Sequence, residues 1–287
     1  MNFIPFIATG IGLGAVYGMS AIGLVVLYRS SGTINFAFGA LGAAAAHCTW
    51  ALIAVDVPVW LAWLCGILLA VLLSFLYGRY VSSRLTDRSQ SVRAIATLGL
   101  ALLLLGTITT IWGPGLPRRL SLPTDQINAV IFGMKISYTR LGALFFALAS
   151  MIAVGLLLAR TRIGLAMRAL ASSRAISSQI GIDVATVDSV AWIISGAFAG
   201  ISGLILADLL LMSPIPLTFL VIPAIAAAVL GGLTSMPGAF VGGMVAGLAE
   251  ALLTVVPQAS TLRSAAPYVL ALLFITFATR AQLGEGE

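Results

Sequence analysis

RSSGTINFAFGALG, residues 29–42, sits between long apolar runs and interrupts them with Ser30, Ser31, Gly32, Thr33 and Asn35. These are turn and capping residues, because their short polar side chains offer the backbone local alternatives to a helix. Two readings compete. The stretch is either a connecting loop or a helix broken inside a membrane, where unwound backbone is tolerated only if protein buries it or it lines a cavity.

Composition fixes the setting. Of 287 residues, 60% are hydrophobic and 8% are charged, against about 25% charged in soluble domains. A water-facing surface cannot be built from that inventory, so the chain is an integral membrane protein. Short alternating segments are absent, which argues for helices over an outer-membrane barrel. At roughly 20 residues per span, hydropathy predicts crossings at 3–28, 36–55, 59–79, 93–112, 138–159, 188–211, 218–233, 239–256 and 265–279. The run at 218–233 is short enough to be re-entrant. The expected fold class is therefore an all-α polytopic membrane protein: one domain over 1–287, a bundle of eight or nine transmembrane helices with broken or re-entrant segments. The first cationic residue is Arg29, so 3–28 reads as a retained span and not as a cleaved signal.

The cationic residues orient the bundle. With the N-terminus outside, ten arginines (29, 79, 84, 88, 93, 160, 162, 168, 174 and 280) fall on the cytoplasmic side. Arg118, Arg119, Lys135, Arg140 and Arg263 fall outside. This bias favours N-out and C-in, and it explains the net charge of +6 as a topology signal with no nucleic-acid partner. Residues 113–137 then form a long proline-rich outer loop. A weak internal similarity, with two residues skipped, links GAVYGMSAIGLVVL (14–27) to GAFAGISGLILA (196–207). These helices are expected to run in opposite directions, which fits either an inverted repeat or coincidence between Gly/Ala-rich helices.

Catalytic chemistry is sparse. The only lysine, Lys135, precedes Ile136, so no Gly-Lys-Ser/Thr phosphate loop exists, nor an HExxH helix, and neither does a GxSxG elbow. No catalytic residue and no metal ligand is assigned. Cys48 and Cys65 lie in apolar runs as packing residues. His47, among alanines, is expected to hydrogen-bond a neighbouring helix, the alternative being a proton-sensing intramembrane histidine. Glu250 stands well inside a predicted span, where an ionised carboxylate costs roughly 2.5–3.5 kcal/mol. It is either a substrate-path residue, a helix-gluing one, or bonded to neighbouring hydroxyls. Glycines at small-xxx-small spacing, Gly10-Gly14-Gly18 and Gly196-Gly200, predict close helix contact. In GGLTSMPG (231–238) they cluster with polar residues and predict unwound backbone. The cytoplasmic segment 161–187 reads as one helix over about 164–180 ended by Gly181. It is amphipathic, and either lies in the membrane interface or docks a soluble motor.

TINFAFG (33–39), RALASSRAISSQIGI (168–182) and AVLGGLTSMPGAFVGG (228–243), in this order, resemble the Liv-type branched-chain amino-acid ABC transporter permeases, H-type subunit. The resemblance covers essentially the whole chain. It implies a single permease domain forming half of the translocation pathway of an importer in the bacterial inner membrane. Expected partners are a second, M-type permease, two cytoplasmic ABC ATPases and an extracytoplasmic binding protein. This chain would hold no cofactor of its own, with ATP and Mg bound to the ATPases. Asn35, Phe38, Gly39, Gly231, Gly232, Ser235 and Glu250 become candidate pathway residues. Arg168, Ala169, Ala171, Arg174 and Gly181 become candidate ATPase-coupling residues. Departures occur at Phe38, Ala40 and Ser172, where relatives often carry polar or acidic residues. A less polar path leaves urea, short amides or aromatic carboxylates as alternative cargoes to branched-chain amino acids. A stand-alone secondary transporter or channel is the alternative function.

Overall fold

The computed structural model describes residues 4–113, 118, 120, 128–131, 134–210, 212–254, 265–273 and 276. Among the described residues the α-helices run in chain order as α1 (Ile4–Ser31), α2 (Phe38–Ile53), α3 (Val59–Leu76), α4 (Gln90–Trp112), α5 (Tyr138–Arg160), α6 (Arg162–Ser172), α7 (Arg174–Gln179), α8 (Val184–Leu209), α9 (Pro214–Phe219), α10 (Val221–Leu230) and α11 (Met236–Leu253). The α3 helix continues through a π turn (Tyr77–Val81) and a 3-10 turn to Leu85.

Six helices among the described residues are long and apolar enough to cross a membrane: 6–31, 59–85, 90–112, 141–160, 184–209 and 236–253. Shorter apolar helical stretches occupy 38–53 (α2) and 214–230 (α9 and α10). Residues 266–273 are helical, and the remainder of the predicted ninth span lies outside the described residues. The protein is thus all-α and polytopic, with broken segments where short helices stand. Among the described residues, the α4–α5 connection holds a small hairpin, β1 (Asn128–Ile131) antiparallel to β2 (Met134–Ser137), with Asn128 opposite Ser137. The rest of the proline-rich loop, apart from the isolated positions at 113, 118 and 120, lies outside the described residues.

The chain forms two compact units interleaved in sequence. One takes residues 1–22, 123–151 and 222–287, and the other takes 23–122 and 152–221. In the first unit, side chains added at Gly10, Gly14 and Gly18 would meet Leu248, Met244 and Phe240 at 2.9, 2.8 and 2.9 Å. The rising and falling numbers mean that α1 and α11 run antiparallel, backbone against backbone, the geometry small residues permit in a membrane.

In the second unit α8 is the central post. A Cβ at Gly196 would meet Ser74 and Ala70 of α3, and one at Gly203 would meet the backbone of Gly42 on α2. Ser74 Oγ donates to the Trp192 carbonyl at 2.6 Å, and the Tyr77 ring stands edge-on to Trp192, 5.0 Å between centroids. By contrast, α3 and α4 bury only 22% of their most apolar window. They turn Leu64, Leu68 and Leu72, or Ile95, Leu98 and Leu102, outward, as lipid-facing helices do. At the other end of α4, Arg118 donates to the Trp112 carbonyl at 2.8 Å and lies 4.2 Å over the Trp50 ring.

His47 corrects an expectation. Its Nδ1 lies 2.8 Å from the Ala43 carbonyl of its own helix, so among the described residues its hydrogen bond goes to the preceding turn and not to a neighbouring helix. Its ring faces Trp112 at 5.7 Å. Both cysteines are free thiols.

Candidate functional site

The interruption at 29–42 is an ordered break between α1 and α2. The Ser30 and Ser31 hydroxyls fold back onto Val26 and Leu27 carbonyls at 3.2 and 2.9 Å, competing with the helix as it ends. Gly32 then takes φ +66, a left-handed conformation glycine adopts without a Cβ penalty. Asn35 Oδ1 accepts from Ala37 N–H at 3.0 Å, next to the start of α2.

Six residues, 32–37, separate α1 from α2, and the backbone groups this frees need partners, several of which α4 supplies from one face. Arg93 Nη1 donates to the Ser31 carbonyl at 2.6 Å and to Thr33 Oγ1 at 3.4 Å. One turn on, Thr97 Oγ1 accepts from Phe36 N–H at 3.0 Å and lies 3.2 Å from the Ile34 carbonyl.

Beyond the break, Phe38 is fully buried, against Gly23 of α1, which also touches Phe198 of α8. A Cβ at Gly39 would collide with the Thr218 backbone oxygen, so α2 starts in direct backbone contact with α9. Asn35 Nδ2, Ser195 Oγ and Thr218 Oγ1 are buried and lack a hydrogen-bond partner among the described residues. Such groups are expensive to leave unpaired. Ser195 and Thr218 were not singled out by sequence reasoning. A serine in a helix and a threonine after two prolines carry no motif, and only their burial marks them.

The other predicted pathway residues belong to the other unit. Of the 231–238 stretch only 231–235 form the turn between α10 and α11, while 236–238 open α11, with Gly232 and Thr234 exposed and Ser235 capping α11 through Gly238 N–H at 3.1 Å. Gly232 and Leu233 take φ +71 and +60, and Leu233 N–H reaches back to the Ala228 carbonyl at 2.8 Å, a Schellman-type helix end. A Cβ at Gly231 would collide with the Ala239 backbone nitrogen. Glu250 Oε2 accepts from Tyr17 OH at 2.8 Å, joining α11 to α1 beside the glycine contacts.

The segment expected as one helix over 164–180 is two. Ser173 takes extended backbone, φ −158 and ψ 112, and caps α7 through Ile176 N–H at 3.4 Å. The Ser172-Ser173 pair breaks the helix because a hydroxyl there caps better than it continues. Gly181, at φ +87, follows the end of α7. Asp183 caps α8, accepting from Ala185 and Thr186 N–H at 3.1 and 3.3 Å. The bonds from Thr186 hold its carboxyl below the usual carboxylate range.

Gly164, Met167 and Leu170 face inward on α6, while Leu165, Ile176 and Ile180 are 61, 61 and 70% exposed. Arg168 and Ala171 are exposed and Ala169 is half-buried. Arg168 lines a cleft with Val26, Arg29, Leu158 and Met167. Arg174 instead turns inward. Its guanidinium holds Asp188 of α8 at 3.2 and 2.5 Å and donates to the Ser30 carbonyl at 2.8 Å. Among the described residues no group of three His, Cys, Asp or Glu is placed to hold a metal.

The family described as "Branched-chain amino acid transport system / permease component" matches residues 6–278. The high-affinity branched-chain amino acid transport system permease protein LivH of Salmonella typhimurium is 26% identical over 268 residues, 88% of this chain and 86% of that protein. A probable LivH of Methanocaldococcus jannaschii is 29% identical over 252 residues, 82% of this chain and 76% of that one. The permease protein BraD of Pseudomonas aeruginosa is 25% identical over 266 residues, covering 87 and 86%. PsaBC from Streptococcus pneumoniae in complex with Fab aligns over 95% of this chain and 90% of that one with a TM-score of 0.49 and 12% identity, a likeness too loose to bear on function. A match spanning nearly every helix, with the broken α1–α2 junction and the α6–α7 segment inside it, places this chain in the branched-chain amino acid transport permease family.

Proposed function

We propose that the chain is the non-catalytic permease subunit of an ABC importer, a single permease domain forming half of the path for branched-chain amino acids or a related small solute. ATP and Mg bind to separate ATPase subunits. A second permease, two such ATPases and an extracytoplasmic binding protein complete the assembly in the bacterial inner membrane, with the N-terminus outside and the C-terminus in the cytoplasm.

One observation carries the reading. The α6–α7 segment exposes Leu165, Ile176 and Ile180 beside Arg162 and Arg168, while Arg174 ties the same segment to the body of the protein. An apolar ridge with cationic flanks, anchored from behind, suits the groove of a motor subunit. The unpaired donors Asn35 Nδ2, Ser195 Oγ and Thr218 Oγ1 are the groups we assign to the solute path, since a polar solute would satisfy them.

Affinity purification of the tagged chain in mild detergent, followed by mass spectrometry, tests this. Two P-loop ATPases and a second permease are expected in the eluate. A chain recovered alone that moves leucine into liposomes without ATP overturns the proposal.

A further inference from the structure

We propose that the Arg174–Asp188 pair is the linkage through which the α6–α7 segment moves the broken α1–α2 junction. This rests on the importer reading above.

The geometry is specific. The last carbonyls of α1 are orphans of the helix end and carry its negative dipole. Two arginines take them: Arg93 holds the Ser31 carbonyl at 2.6 Å and Arg174 holds the Ser30 carbonyl at 2.8 Å. Arg93 belongs to α4, a membrane helix. Arg174 opens α7, so one of the two caps rides on the segment that carries the exposed apolar ridge.

A simple helix cap needs only a cation near the carbonyls. Arg174 is fixed further, by a two-pronged pair with Asp188 in the first turns of α8, with side-chain exposures of 28 and 15%. A bidentate guanidinium–carboxylate pair sets orientation as well as distance. Displacement of α7 therefore moves the end of α1 together with α8, or else breaks the pair. Immediately after Ser30 and Ser31 the chain passes Gly32 at φ +66, the joint where a backbone rotation costs least, and then Asn35 with its unpaired Nδ2. Arg174 and Asp188 are thus positioning residues. They touch no solute, and they act on it through the break.

The test reads motion of the break directly, so it needs no knowledge of the cargo. Ile34→Cys, in a Cys48→Ser, Cys65→Ser background, serves as reporter in the full complex with its ATPases. Its rate of modification by a maleimide is compared without nucleotide and with ATP and vanadate. The parental complex is expected to change its rate by about tenfold, a common size for coupling between sites. Asp188→Asn and Arg174→Lys, which keep size or charge, are expected to reduce that change to about twofold or less while retaining the same amount of ATPase.

A nucleotide-dependent change that persists in both variants overturns the linkage. So does a parental complex that retains its ATPases but shows no change at the reporter. If the variants lose their ATPases, the pair acts in assembly and the linkage is wrong. A parental chain that retains no ATPase at all overturns the importer reading, and the linkage falls with it.

Discussion

Gly39 shows how much of this site depends on an absent side chain. The first turn of α2 meets α9 so closely that any Cβ there collides with the Thr218 backbone oxygen, and backbone cannot swing aside as a side chain does. Gly39→Ala is expected to cost about 1–3 kcal/mol, as overpacking does, read as a lower unfolding temperature in detergent. Gly99, on the outward face of α4 with nothing within 4 Å of an added Cβ, is the control: Gly99→Ala should be neutral or stabilising by about 0.5–1 kcal/mol. The sequence marks both residues as glycine, and the resemblance singles out Gly39 only as a pathway candidate, not as a contact. Contact depends on which helix stands opposite, and spacing along one helix does not say. The same limit hid Ser195 and Thr218, whose meaning comes only from burial. It also misplaced the partner of His47, because a carbonyl one turn back competes with any neighbouring helix. Gly32 and Gly181 were legible, since polar or helix-capping neighbours around a glycine announce a chain reversal wherever they occur.

Elements carry the next set of consequences. Arg93 and Thr97, one turn apart on α4, act as a rail for the break. Thr97→Val keeps the shape but strips the acceptor from Phe36 N–H. A loss of about 1–3 kcal/mol is expected, with the drop in thermal stability as the measurement. The α6–α7 ridge makes a different demand. Ile176→Ser with Ile180→Ser should leave stability within about 0.5 kcal/mol, since both side chains are exposed. The same double variant should lower ATPase retention by about tenfold on a pull-down. Unchanged retention would count against docking there. The amphipathic pattern of 161–187 was readable, but its division at Ser173 was not. A Ser-Ser pair is compatible with a helix interior on an exposed face, and here the capping bond to Ile176 N–H wins. The clamp of Arg174 on Asp188 was equally silent, because both residues read as ordinary charges near a membrane end until the fold turns one toward the other.

At the scale of the molecule, the broken bundle was legible because hydropathy is additive along a span, and boundaries agree to within a few residues for the described helices. A whole-molecule prediction concerns the energy source. Glu250 accepts from Tyr17 OH at 2.8 Å, and Glu250→Gln keeps an acceptor of the same size there. ATP-driven uptake should persist in that variant, and its loss together with a proton dependence of uptake would favour a stand-alone, ion-coupled transporter. The interleaving of the two units has a consequence for how the protein is made. The glycine stripe Gly10-Gly14-Gly18 finds its partners on α11, more than two hundred residues later. At about 5–20 residues per second, translation leaves α1 waiting roughly 10–45 seconds for its mate. During that interval the nascent helix is held by the insertion machinery or by lipid alone. A message truncated before codon 236 therefore yields a membrane fragment with a permanently unmatched face, a ready target for the cell's quality-control proteases.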